Sequence, residues 1–298
     1  MIEIKVPATS ANIGSGFDSL GIALGMYNTV QMELWDKVFV ESLDDAPIPL
    51  DEHNLVYKTA KYLFDICGKP LKGLHIRQTN SIPLARGLGS SSACIVAGLM
   101  GANVLMGEPL SREEIVHMAA NMEGHPDNST PAILGGQVTA AMENGKVFYC
   151  RQEVKQDILF AAIIPDFELK TSVARTALPK EVTHKDAVYN LSRAALMASS
   201  LASGRYENIR VACGDRLHQP YRLSLIQGGA QVLSCALEFG AYGAYISGAG
   251  STLMAIVPVD CDSFFRNLRC QLDMAGRTGW RLEMLMPDNN GATIAEKQ

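Results

Sequence analysis

From Gly87 to Gly107 the chain carries no charge, yet it opens on Gly87-Leu88-Gly89-Ser90-Ser91-Ser92-Ala93 before turning apolar through Cys94 to Met106. The run is long enough for a membrane span, but its five glycines, three serines and Asn103 suit a helix buried inside a protein better. Two glycines two apart permit a tight turn and close approach of a ligand. Three successive serines then place hydroxyls beside the free N–H groups of a first helical turn. With Pro83-Leu84-Ala85-Arg86 leading in, the stretch reads as an anion-binding loop that opens a helix. No lysine follows the glycines and no third glycine stands at the offset of a dinucleotide fingerprint, so neither common phosphate motif applies. An ordinary helix N-terminus, with serine capping and a surface turn, would use the same residues.

At 298 residues and 47% hydrophobic content, the chain can fill one large or two medium cores. Its 26 basic and 31 acidic residues are scattered, with a net charge of −5 and no basic stripe, which argues against a nucleic-acid partner. Met1-Ile2-Glu3-Ile4-Lys5-Val6 alternates like a half-buried strand rather than a signal peptide, so a soluble, cytoplasmic protein without a membrane partner is expected. Seven cysteines, odd in number and without a Cys-x-x-Cys pair, read as reduced core residues.

Patterning predicts strands near Ile2–Val6, Thr29–Leu34, Val38–Glu41 and Leu74–Gln78, then helices near Ser91–Met106 and Arg112–Asn121. A strand over Ile158–Ile164 precedes helices near Lys185–Ala202, Tyr206–Ala212 and Gln231–Phe239. A strand Ser251–Val257, a helix Cys261–Met274 and a strand Trp280–Met286 close the pattern. Both halves mix α and β, and the charged cluster Arg151–Gln156 marks a boundary between domains 1–153 and 154–298.

Four clusters carry chemistry. In Pro7-Ala8-Thr9-Ser10-Ala11-Asn12-Ile13-Gly14-Ser15-Gly16-Phe17-Asp18, Asn12 offers a donor and an acceptor, and Asp18 accepts from an amine or hydroxyl. Glu123-Gly124-His125-Pro126-Asp127-Asn128 gathers polar groups at a spacing that is not a zinc arrangement. Thr171 and Arg175 share one face if their segment is helical. Arg222 adds a second guanidinium, so the arginine pair would suit an α-carboxylate while Asp18 balances an ammonium. Gly243 to Thr252 forms a glycine-rich turn between a helix and a strand. Residue types alone also allow a strand connection, a solvated helix end, two surface arginines and a tight turn.

Pro-x-x-x-Gly-Leu-Gly-Ser-Ser-x-Ala at 83–93 resembles the phosphate loop of the kinases acting on galactose, homoserine, mevalonate and phosphomevalonate, the GHMP kinases. Pro7 to Asp18 is similar to the amino-terminal motif of homoserine kinases in particular, and Glu123 to Gly136 to their second motif. Gly243 to Thr252 resembles the third, with Ala249 and Ser251 where many relatives have serine and proline. The resemblance implies an α+β fold of two domains: an ATP-binding one like the second domain of ribosomal protein S5, and a carboxy-terminal one that is ferredoxin-like. It implies ATP and Mg2+, with Pro83, Leu84, Ala85, Arg86, Gly87, Leu88, Gly89, Ser90, Ser91, Ser92 and Ala93 around the phosphates. Gly248 and Gly250 would brace that loop, Asn54 would lie on the adenine side, and Ser90 or a neighbour would bind Mg2+ with Glu123. Asn12, Asp18, His125, Asp127, Asn128, Thr171, Arg175 and Arg222 would orient L-homoserine for phosphorylation of its side-chain hydroxyl, on the way to threonine. Asp18 is a candidate base but a better ammonium partner, so no base is named. Relatives are often homodimers. Two other readings stay open: a sister kinase for a mevalonate-like alcohol, against which Asn12, Asp18 and the arginines argue, and a silent nucleotide or amino-acid sensor, which Glu123 and the serines disfavour.

Overall fold

Strands β1 (Ile2–Ala11) and β2 (Leu20–Trp35) pair antiparallel at the heart of the larger of two sheets. Both run longer than their alternating cores predict, because small residues from Pro7 to Ala11 and from Leu20 onward continue the ladder after a register shift between Pro7 and Ala8. The connection between the two strands is thus only residues 12–19. The computed structural model describes residues 1–296; Lys297 and Gln298, the end of the expected second domain, lie outside the described residues.

After β3 (Phe39–Ser42), helix α1 (Leu55–Ile66) carries the chain over to β4 (Gly73–Asn80), which lies parallel to β3. Helix α2 (Ser90–Leu105) packs between α1 and β1, buried on nearly every side, as its uncharged sequence requires. Helices α3 (Arg112–Glu123) and α4 (Ser129–Leu134) then lead to the hairpin of β5 (Gln137–Glu143) and β6 (Lys146–Gln152). Patterning missed α1, α4 and this hairpin, although the signals exist: Asn54 caps an apolar stripe at 56, 60, 63 and 64, and Asn144-Gly145 is a two-residue hairpin turn with both φ angles positive.

Strand β7 (Ile158–Ile164) is a continuous apolar run because both its faces are covered. Ile158, Phe160, Ala162 and Ile164 belong to the main core, and Ala161 and Ile163 to a second core on the other face. Helices α5 (Thr171–Thr176), α6 (His184–Ser203), α7 (Ile209–Ala212), α8 (Gln219–Arg222) and α9 (Gly229–Glu238) follow. Strands β8 (Gly243–Ile246) and β9 (Leu253–Pro258), helix α10 (Asp262–Met274) and strand β10 (Arg281–Leu285) complete a four-stranded antiparallel sheet in the order β10-β7-β9-β8. That order, with β-α-β-β-α-β succession, is the expected ferredoxin-like arrangement. The division at 153/154 needs one correction. Strand β11 (Thr293–Glu296) returns to pair with β1, so the end of the chain completes the first sheet rather than the second. Among the described residues no helix is long and apolar enough to cross a membrane.

Candidate active site

The loop before α2 is shaped by close backbone contacts. A Cβ on Gly89, whose φ is 72°, would stand 2.1 Å from Oγ1 of Thr9. One on Gly87, at φ 78°, would stand 2.3 Å from the Ser247 carbonyl oxygen, so both positions require glycine. Thr9 N–H donates to the Leu88 carbonyl (3.1 Å), Ser247 Oγ to that of Gly87 (2.6 Å), Thr252 N–H to that of Arg86 (3.0 Å) and Leu169 N–H to that of Ala85 (3.0 Å). Strand β1 and the turn before β9 therefore clamp the loop from both sides. Among the described residues no side chain caps α2, so its first-turn N–H groups are left for another acceptor.

This helix end forms one wall of a cleft of about 340 Å³. Glu123, at the last turn of α3, accepts from the Ser92 hydroxyl and from the Ser129 N–H (3.2 Å). Burial pushes its carboxyl above the ordinary range, outweighing these hydrogen bonds. Ser90 Oγ is buried and has no hydrogen-bond partner among the described residues. An orphaned hydroxyl and a buried carboxylate on the wall of one cleft are a donor set of hard oxygens, which fits Mg2+.

On the other side of the cleft, Asp18 and Arg175 form a two-pronged ion pair, with Nη1 to Oδ2 at 3.1 Å and Nη2 to Oδ1 at 2.9 Å. Thr171 lies one helical turn before Arg175 on α5, as their spacing required, and both face the cleft. Arg222 is almost wholly buried and donates from Nη1 to the Gly248 carbonyl (2.9 Å); desolvation first, then the nearby Arg175, lowers its pKa to about 10. Asn12 also donates to Gly248 O (2.7 Å) and accepts from the Asp18 N–H (3.0 Å). His125 and the buried Asp127 pair through Nδ1 and Oδ1 at 2.7 Å. Burial disfavours the imidazolium, but the Asp127 hydrogen bond and the charges of Asp127, Glu123 and Asp18 outweigh it and raise the pKa. Asn128 accepts from Thr9 Oγ1 (2.9 Å).

All eight residues expected to orient an acceptor line this one cleft, together with Ala85, Arg86, Gly87, Gly89, Ser90, Ser91, Ser92, Glu123 and Gly248. Others expected there do not. Pro83 and Leu84 lie off the wall, Leu88 and Ala93 point into the core, and Gly250, expected to brace the loop, packs its backbone against Gly87. The Arg86 guanidinium turns away to the carbonyls of Pro165 and Asp166, both at 3.0 Å. Asn54 is absorbed by capping α1, accepting from Val56 and Tyr57 N–H and donating to Pro49 O and Gln78 Oε1. The chain also brings Ile95, Met122 and Ala249 to the wall. Phe17 lies beneath both guanidinium groups, 5.7 Å from Arg175 and 5.1 Å from Arg222, and was readable only as the neighbour of Asp18.

Residues 54–136 match the GHMP kinases N terminal domain and residues 197–272 the GHMP kinases C terminal domain. Homoserine kinase of Caldicellulosiruptor saccharolyticus is 48% identical over the whole chain and 98% of its own length. That of Clostridium beijerinckii is 47% identical over 99% of each. The crystal structure of homoserine kinase from Cytophaga hutchinsonii superposes with a TM-score of 0.88 at 27% identity, covering 99% of this chain and 97% of that one. Matched from end to end by such relatives, and built on both domains of the GHMP fold, the chain belongs to the homoserine kinases of the GHMP kinase family.

Proposed function

We propose that this chain transfers the γ-phosphoryl group of ATP to the side-chain hydroxyl of L-homoserine, giving O-phospho-L-homoserine and ADP on the way to threonine. The observation that carries the proposal is the composition of the cleft. A helix N-terminus free to hold phosphate faces a carboxylate and two arginines whose charges complement a zwitterionic amino acid. The N–H groups of the loop and first turn of α2 hold the phosphates. Asp18 takes the substrate ammonium, while Arg175 and Arg222 take its carboxylate. Because Asp18 is already engaged by Arg175, it serves as a charge partner rather than a base, and a loose phosphoryl transition state needs no strong one. His125, whose imidazolium form is favoured by Asp127, faces the same space and would stabilise the charge that builds on the transferring group. Glu123 and Ser90 would hold Mg2+, which would neutralise phosphate charge. Turnover then rests on holding donor and acceptor in line within one cleft.

ADP release measured with ATP and Mg2+ against homoserine, mevalonate, serine and galactose tests the proposal. Homoserine alone should support rapid turnover. Turnover with another acceptor in its place, or with none, would refute it.

A further inference from the structure

A buried imidazole lies beneath the arginine pair, and the chemistry proposed above does not use it. His218 is wholly enclosed, stacked on Phe17 with centroids 5.2 Å apart and planes 23° from parallel. Its Nε2 is 2.7 Å from the Gly14 carbonyl oxygen, which can only accept, so Nε2 carries the proton. Its Nδ1 is 3.3 Å from Nη1 of Arg222, which can only donate, so Nδ1 offers its lone pair. Both neighbours select the same neutral tautomer, and a second proton would set an N–H against a guanidinium. The Asp215 carboxylate, 3.7 Å from Nε2, is already taken up by the N–H groups of Leu217, His218 and Gln219. Burial likewise holds the ring neutral, lowering its pKa against the pull of Asp215. Gly14 lies in the same short loop as Asn12 and Asp18, so one ring joins the ammonium side of the pocket to the arginine on the carboxylate side.

We propose that His218 is a positioning residue: held as the Nε2–H tautomer by the Gly14 carbonyl, it accepts from Arg222 and sets that guanidinium's orientation relative to the loop bearing Asp18. This rests on the reading of Arg222 as the partner of the substrate carboxylate. The spacing between the two charge partners of an α-amino acid thereby depends on a side chain that touches neither substrate.

Two amide substitutions separate the two contacts. Glutamine in His218→Gln reaches the place of Nε2 and can donate to Gly14, but it offers nothing where Nδ1 stood. Asparagine in His218→Asn places its oxygen near Nδ1 and can accept from Arg222. His218→Gln should raise the homoserine KM about tenfold or more, as loss of a hydrogen bond to a charged group implies, with the ATP KM within about twofold. His218→Asn should restore most of the difference, and in an Arg222→Ala background neither change should add further loss. Equal effects of the two amides on the homoserine KM, or parallel loss of both substrates, would overturn the proposal. In the unsubstituted protein, imidazole nitrogen chemical shifts near neutral pH should report the Nε2–H form, and an Nδ1–H or doubly protonated ring would also overturn it. If Arg222→Ala leaves the homoserine KM unchanged, the carboxylate reading itself fails. A raised KM there with an unaffected His218→Gln variant sinks only the positioning role.

Discussion

Replacing Glu123 by glutamine keeps the side chain's shape and removes its charge. The Ser129 N–H still meets an oxygen, and the Ser92 hydroxyl can rotate to accept from the new amide, so no hydrogen-bonding group is stranded. Two consequences then run in opposite directions. Burial raises the Glu123 carboxyl's pKa, so between its ordinary value and the raised one the folded chain holds a proton that the unfolded chain has released. Stability therefore falls as pH rises through that interval and stays lower above it. In metal-free buffer at pH 8 the Gln variant should escape this loss and melt above the parent. Catalysis should suffer, because a carboxylate that anchors the cation opposite a transferring phosphoryl group supplies roughly 3–4 kcal/mol of transition-state stabilisation, about 10²–10³-fold in kcat. Melting in EDTA at pH 5 and pH 8, with ADP release followed across a magnesium titration, reads both effects. A Gln variant with unchanged kcat and magnesium dependence would refute the metal role. One that melts below the parent at pH 8 would refute the burial argument.

Arg222→Ala should lower kcat/KM for homoserine about 10²–10³-fold while the ATP KM stays within about twofold; equal loss of both would count against a carboxylate site. Gly89→Ala forces a left-handed backbone and a Cβ 2.1 Å from Thr9 Oγ1, so about 2–4 kcal/mol of stability should go, with a weaker ATP KM; wild-type melting would contradict this. Asn54→Ala removes the α1 cap and should cost about 1 kcal/mol of stability with little change in ATP KM, whereas a tenfold rise in that KM would place the side chain on the nucleotide after all.

Where local chemistry dictates local form, the sequence was legible. The serines after Gly89 open α2, Thr171 and Arg175 share a helical face, and the apolar run Ile158–Ile164 is a doubly covered strand. Elements defined by weaker signals were lost: the capped stripe of α1, the short α4 and the Asn144-Gly145 hairpin. Site residues followed the same division. Motif residues that pair with one another or with the loops around the cleft reached it, but Asn54 went to a helix cap and the Arg86 guanidinium to two carbonyls. Nothing in a motif says which of several local acceptors a polar side chain will meet first.

By itself the sequence determined the loop that can hold phosphate, the residue types that suit an amino acid, and a mixed α and β fold in two parts. Each of these depends on spacing along the chain, through periods of two or 3.6 residues and through glycine's freedom at fixed positions. Only the tertiary structure decided that β11 returns to β1, that Asp18 meets Arg175 across more than a hundred residues, and that a buried His218 joins Gly14 to Arg222. Those contacts arise from packing between segments remote in sequence, where the surroundings of a group and not its neighbours in the chain choose its partner.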